Sequence, residues 1–293
     1  MINQPLPHNL LQRFSQPSGQ KPPTVLILGL WGWNDAADAV QGALSSIKGH
    51  FAFKALEDSL DTTPFYSYTE NQPYLSVNEA GLTELIWPQL KLAETFTPTG
   101  LRLLTLSGPE PNLNWPQLAQ AIFQLIKDQG VDLVLLCGAL LDEVPHTRSL
   151  PLTISSWSPS LQALEGVEPN KYSGPTGLIG TLAHLAGEAD IPALSLWVSV
   201  PHYLPDSPHP KASLSLLQAL EVLLECPMPT ATLQAEISSW EQTAADLLDD
   251  EPELAHYVRT LESIAEAKED IGDLSQLDIA AAFERFLKDQ DPQ

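Results

Sequence analysis

The chain has 293 residues, with 37 acidic against 14 basic side chains and a formal net charge of −23 at pH 7. Its 43% hydrophobic content supplies a core for one large domain, or for one domain with an appendage. The negative excess repels phosphate backbones and anionic lipid surfaces, which excludes nucleic-acid binding as a main function and disfavours membrane association.

Residues 1–23 carry Pro5, Pro7, Pro17, Pro22 and Pro23 among polar residues without sustained periodicity, and read as a flexible extension, mobile or draped over the surface. Met1 to Phe14 lacks a basic segment followed by an apolar one, so no signal peptide is expected. From Thr24 onward, short apolar runs alternate with amphipathic segments. The runs Thr24–Leu30, Leu101–Ser107, Val131–Cys137, Leu150–Ser155 and Ala193–Val200 predict strands buried on both faces. Ala36–Lys48, Pro116–Gln129, Gly177–Ala189 and Lys211–Glu225 predict helices between them. The fold class is therefore α/β, a mainly parallel sheet flanked by helices, over residues 24–228.

Asn34 or Asp35 is placed to cap the first helix, Pro116 to open the second, and Thr176 to cap the third. Gly130 suits the left-handed end of a helix that runs straight into a strand. Between Phe51 and Pro98 the pattern divides poorly; Tyr74–Val77 reads as a strand and Leu82–Glu94 as a helix.

Residues 229–293 read as an acidic helical extension. From residue 231 onward there are 16 acidic and 4 basic side chains. Leu233, Ile237, Trp240, Ala244 and Leu247 form a narrow apolar stripe at helical spacing. Leu254, Val258, Leu261 and Ala265 form a second, and Ile279, Phe283 and Phe286 a third. Breaks near Pro252 and Gly272 predict a hairpin or short bundle, serving as a buttress on its own domain or as a docking surface.

Ligands of parallel sheets gather at the carboxyl ends of the strands, and four loops there hold the unusual polar residues. Gly32, Trp33, Asn34 and Asp35 follow the first strand; Gly108, Glu110 and Asn112, with Trp115 nearby, follow the second. Asp142, Glu143, His146 and Arg148 follow the third, and His202 and Tyr203 the last, ahead of His209 and Lys211. Gly32 with its following amides could cradle an anion, although Asp35 as a cap would oppose one. Arg148 could clamp a carboxylate or phosphate, or neutralise Asp142, Glu143 or Glu110. His146 or His202 could move a proton and Tyr203 offers a phenol, or the same groups could close a loop over the core.

No catalytic signature emerges. A Gly-x-Ser-x-Gly elbow, a Gly-x-Gly-x-x-Gly turn after a strand and a phosphate loop of the Gly-x-x-x-x-Gly-Lys type are all missing. The histidines lack His-x-x-x-His spacing, so neither metal nor cofactor is expected. Cys137 lies in an apolar run and reads as a buried small hydrophobe; with Cys226 before Pro227 and no Cys-x-x-Cys or disulfide framework, the two fit a reducing, cytoplasmic setting.

At the same loops the chain resembles the bacterial, actinobacterial-type branch of the proteasome assembly chaperone 2 family. The matching segments are Gly32-Trp33-Asn34-Asp35-Ala36-Ala37-Asp38-Ala39, Leu106-Ser107-Gly108-Pro109-Glu110-Pro111-Asn112 with Trp115, and Val144-Pro145-His146-Thr147-Arg148. Trp197-Val198-Ser199-Val200-Pro201-His202-Tyr203 and Pro210-Lys211-Ala212 complete a match spanning about residues 24–226. The resemblance implies a domain similar to phosphorylase-like and peptidyl-hydrolase-like folds, often assembled into homo-oligomers including trimers. It also implies kinship with non-enzymatic chaperones that contact proteasome subunits. One departure stands out: Ser67 and Asn71-Gln72-Pro73 occupy the place where many bacterial relatives carry Asp and then Asn-Arg-Pro, which removes a cation near the site. The sequence thus predicts a protein working by protein–protein contact; the other reading is an enzyme or sensor holding a small anionic or nucleoside-like ligand at the strand ends.

Overall fold

The computed structural model describes residues 6–14, 22–57, 60–78, 80–204 and 208–272, with side chains to residue 267. In chain order, β1 (Thr24–Trp31) leads to α1 (Ala39–His50), β2 (Lys54–Ala55), the hairpin of β3 (Tyr74–Val77) and β4 (Thr83–Ile86), and β5 (Lys91–Phe96). Then follow β6 (Arg102–Pro109), α2 (Trp115–Asp128), β7 (Leu133–Asp142), β8 (Leu152–Ser156), α3 (Pro159–Gln162) and β9 (Glu168–Pro169). The chain continues through α4 (Leu178–Glu188), β10 (Ala193–Pro201), α5 (Pro210–Leu224), α6 (Ala231–Asp250) and α7 (Pro252–Gly272).

Eight strands form one sheet in the order β2-β5-β6-β1-β7-β10-β8-β9, and β3 pairs with β4 separately. The centre, β6-β1-β7-β10, is parallel; β5 and β8 run antiparallel to their inner neighbours. Successive side chains of a strand point to opposite faces, so the unbroken apolar runs feed two cores at once. Val25 and Ile27 of β1 face Val40, Leu44 and Ile47 of α1 and the leucines of α5. Leu26, Leu28 and Leu30 face Leu118 and Ile122 of α2 and Leu182 of α4. A Cβ at Gly29 would come within 2.5 Å of Val40 Cγ1, so the glycine sets how closely α1 lies on the sheet.

Three elements differ from the sequence reading. The segment 82–94 is not a helix but β4 and β5, because Pro88 interrupts it and Lys91–Phe96 pairs edge to edge with β6. The run beginning at Leu150 forms an antiparallel strand beside β10. Thr176 does not cap α4; the cap position is Gly177, and the first helical amide finds a partner elsewhere in the chain.

Other local expectations match. Gly130 has φ +60°, with its N–H and that of Val131 donating back into the last turn of α2. Cys137 and Cys226 are buried free thiols, and burial pushes the Cys137 thiol up to about 12. In the leading segment, Leu6, Leu10 and Leu11 are buried in the core that also holds residues of α1 and α5. Two of the three tail stripes fall on α6 and α7; Ile279, Phe283 and Phe286 lie outside the described residues.

Candidate functional site

The four polar loops leave one edge of the sheet. The register is stepped: β1 and β6 end level at Trp31 and Pro109, while β7 and β10 end level at Asp142 and Pro201, beyond Ala139 where β1 stops. The loop after β1 is held to the end of β7 by a bridge between Asp35 and Ala139 and by the Ala139 N–H donating to the Asn34 carbonyl at 2.8 Å. On this rim the polar side chains form two networks.

The first is centred on Glu110. Its Oε1 accepts from Asn34 Nδ2 and from the Leu178 backbone N–H, each at 2.5 Å. A carboxylate from the β6 loop thus satisfies the start of α4, where the helix dipole favours negative charge. Asn34 is fully buried, and its Oδ1 has no hydrogen-bond partner among the described residues. Gly177 makes this approach possible: a Cβ there would lie 2.4 Å from Asn34 Oδ1 and 2.8 Å from Glu110 Oε1. Gly108 serves a similar end, since a Cβ on it would meet the Gln89 carbonyl at 2.3 Å.

Asp35 points the other way and caps α1. Its carboxylate accepts from the N–H groups of Val40 at 2.6 Å and Gln41 at 3.0 Å. Burial raises its carboxyl to about 6 against these two lowering hydrogen bonds. The reach is set by Ala37 and Asp38, both left-handed at φ +50° and +53°, which fold the chain back so that a residue four positions ahead of the helix can cap it. Gly32, at φ +115°, begins the same turn, and Trp33 stands exposed beside it. Asn112 anchors the 66–71 segment: Oδ1 accepts from Ser67 N–H and Asn71 Nδ2, and Nδ2 donates to Glu70. In this segment the side-chain amides of Asn71 and Asn112 tie the loop together.

The second network lies on the ends of β7 and β10. Tyr203 Oη accepts the His146 N–H at 2.9 Å and sits 2.8 Å from His146 Nδ1. Burial pushes the phenol up to about 12, while burial and then Lys211 lower the imidazole, so both are neutral near pH 7. Lys211 Nζ donates to the His146 carbonyl at 2.6 Å and to Glu241 at 3.0 Å. Ser199 Oγ donates to Asp142 Oδ2, and the His202 N–H to the Asp142 carbonyl.

The tail closes over this second network. Among the described residues Arg148 pairs with Glu266 of α7, and no ion pair joins it to Asp142, Glu143 or Glu110, the partners that loop proximity suggested. Thr147 donates to Glu262, and the rings of His202 and Tyr203 meet Tyr257 edge-on. Trp240 of α6 lies over His209 with ring centroids 4.0 Å apart and touches His146 edge-on. His209 is buried with neither ring nitrogen hydrogen-bonded among the described residues, and burial, Lys211 and His146 push it down to about 3.

His209 and Lys211, read from the sequence only as neighbours of the last loop, join the rim, as do Trp240, Glu262, Glu266 and Gly177, for which no role at the rim was expected. Trp240 alone carried a signal, as the one bulky aromatic on an acidic helical stripe. A cleft of about 520 Å³ opens between α1, the start of α5 and α6, walled by Asp38, Gln41, Ser45, Ser213 and Trp240. Asn34, Asp35, Glu110, His146, Arg148 and His202 do not line it. Among the described residues no three His, Cys, Asp or Glu side chains gather as a metal site, and no helix is long and apolar enough to cross a membrane.

Comparison with known proteins adds to this geometry. A family model described as the PAC2 family matches residues 29–248. A PAC2 family protein from Streptomyces avermitilis is 33% identical, with a TM-score of 0.74, covering 80% of this chain and 99% of its own. A proteasome-assembly chaperone homologue from Mycobacterium tuberculosis is 32% identical, with a TM-score of 0.72 and the same coverages, 80% and 99%. An archaeal proteasome activator from Pyrococcus furiosus shares the fold at 12% identity and a TM-score of 0.57, covering 78% of this chain and 94% of its own. Among curated proteins, none matches.

Proposed function

From the premise that the chain belongs to the PAC2 family, we propose that it is a cytosolic, chaperone-like protein acting by contact with other proteins, proteasome subunits first among them. The observation that carries this reading is the 32% identity to the M. tuberculosis proteasome-assembly chaperone homologue over 99% of that chain. Rim chemistry supports it. Glu110, His146, Arg148 and Lys211 spend their hydrogen bonds and charges on Asn34, Tyr203, Glu266 and Glu241 within the chain. Trp33 and Leu113 beside them are exposed apolar groups of the kind that anchor protein interfaces. Self-association into a homo-oligomer belongs to the same reading.

The test mixes the purified full-length chain with proteasome α and β subunits of its source organism and follows assembly intermediates by native electrophoresis. We expect a complex with subunits or half-particles that Trp33→Asp with Leu113→Asp abolishes. No complex at micromolar concentration, together with unchanged assembly yield, overturns the proteasome-directed role. A source genome without proteasome genes overturns it as well.

A further inference from the structure

Basic side chains are scarce in this chain, yet Lys48 and Lys91 stand together on one face of the sheet. Lys91 of β5 lies directly opposite Ser107 of β6, and residues so paired point to the same face with Cβ atoms about 4.5–5.5 Å apart. From the last turn of α1, Lys48 reaches that face, where its Nζ donates to Ser107 Oγ at 2.5 Å. Among the described residues neither lysine forms an ion pair. Glu94 of β5 points to the opposite face and pairs with Arg102. Burial and then the charge of Lys91 hold the Lys48 ammonium below its ordinary range.

The hydroxyls of β6 are an independent observation. An ammonium group gives hydrogen bonds but cannot accept one, so Ser107 is the acceptor toward Lys48. Its own hydroxyl proton is then left without an acceptor among the described residues, on a residue only 2% exposed. Thr105, two residues earlier on the same face, is fully buried, and its Oγ1 has no partner among the described residues. Buried polar groups are ordinarily satisfied. An open donor beside two uncompensated cations calls for a bound acceptor that carries negative charge.

We propose that Lys48, Lys91 and Ser107 hold a phosphate group, either inorganic phosphate or the phosphoryl end of a small ester. Two ammonium groups match a phosphate dianion, whereas a carboxylate would leave one lysine uncompensated. The oxygens of one phosphate can also accept from both lysines and the hydroxyl at once. Ser107 is too deep to meet a bulky group, but Lys91 is exposed, so the remainder of an ester extends past Lys91 into solvent. The charge of −23 on the whole chain does not forbid this, because charges beyond about 8 Å are largely screened at physiological ionic strength. The site shares no residue with either rim network, and it stands or falls apart from contact with proteasome subunits.

The experiment is a calorimetric titration of the full-length chain at about pH 8, where phosphate is a dianion, in a buffer free of phosphate. Inorganic phosphate and ribose 5-phosphate are titrated separately, with chloride holding the ionic strength constant. Lys91→Gln, Ser107→Ala and Lys48→Met are compared with wild type, each checked for native circular dichroism. Lys127→Gln, at an exposed lysine on α2, is the control. We expect saturable binding with a dissociation constant of about 1 mM or below, weakened at least about tenfold by Lys91→Gln and by Ser107→Ala. Lys127→Gln should leave it unchanged. Because Lys91 is exposed, its variant carries the test even if Lys48→Met fails to fold. Tighter binding of ribose 5-phosphate assigns the site to an ester, and tighter binding of inorganic phosphate assigns it to the free ion. No saturable binding of either, binding indifferent to Lys91→Gln and Ser107→Ala, or equal weakening by Lys127→Gln overturns the proposal.

Discussion

One carboxylate oxygen of Glu110 joins two distant parts of the chain: the Leu178 amide that opens α4 and the side chain of Asn34 in the β1 loop. The first residues of α4 are thus fixed by a group 68 positions earlier, with Gly177 clearing the space between them. Gly177→Ala forces a methyl group onto the Asn34 amide, and we expect it to destabilise the fold by about 1–3 kcal/mol. Asn34→Ala removes the nearer obstacle and leaves Glu110 Oε1 at 2.8 Å. Urea unfolding of the two single variants and the double variant should therefore show the Gly177→Ala cost shrinking by at least about 1 kcal/mol in the Asn34→Ala background. Additive costs would mean that the close approach is not what requires glycine.

Tyr203 carries the structural burden of the second network. Its hydroxyl serves both the backbone N–H and the ring of His146. Tyr203→Phe keeps the ring contacts with His202 and Tyr257 but strands a donor and an acceptor in a partly buried place. We expect a loss of about 1–3 kcal/mol in chemical unfolding. A loss below about 0.3 kcal/mol would show that water replaces the hydroxyl without cost.

How much of this was legible depends on how far apart in the chain the partners lie. The central strands announce themselves because strands buried on both faces must be apolar throughout, as in Leu133–Leu136. The Asp35 cap is legible because cap and helix are neighbours, although its left-handed detour through Ala37 and Asp38 is not. The partners of Glu110 and Arg148 are 68 and 118 residues away, and no local pattern encodes them. Reading Leu82–Glu94 as a helix failed for a different reason. Leu82, Leu85, Ile86 and Leu90 fit a helical period, but pairing of Lys91–Phe96 with β6 outweighs so weak a preference.

Two buried groups give opposite pH responses. Asp35 is raised from 3.8 to about 6, so the folded state holds its proton more tightly than the unfolded state. The associated stabilisation is complete below 3.8 and is lost as the pH rises through 6. His209 is lowered from 6.5 to about 3, so the unfolded state holds its proton more tightly. Its contribution is present above 6.5 and is lost as the pH falls toward 3. Between pH 7 and 4.5, wild type should gain stability relative to Asp35→Asn and lose it relative to His209→Phe, each by about 1–3 kcal/mol. Urea midpoints at three pH values measure both slopes. Parallel curves for wild type and either variant would contradict the assignment for that residue.

The last prediction concerns how α6 and α7 are held. Ion pairs of partly exposed groups, such as Arg148 with Glu266 and Lys211 with Glu241, contribute at most about 1 kcal/mol each and weaken with salt. The stack of Trp240 on buried His209 involves more apolar contact and no screening. If packing dominates, Trp240→Ala should release the two helices while Arg148→Ala and 0.5 M salt loosen them only slightly. Amide exchange resolved by peptide separates the cases. We expect protection in α6 and α7 to fall about tenfold or more for Trp240→Ala, by no more than about fivefold for Arg148→Ala, and not at all in β1 or β7 for either. The reverse order would make the clamp electrostatic, and the tail would then open with ionic strength. An unchanged pattern in both variants would mean that the contacts of α6 with α5, through residues such as Leu233, suffice to hold the tail in place.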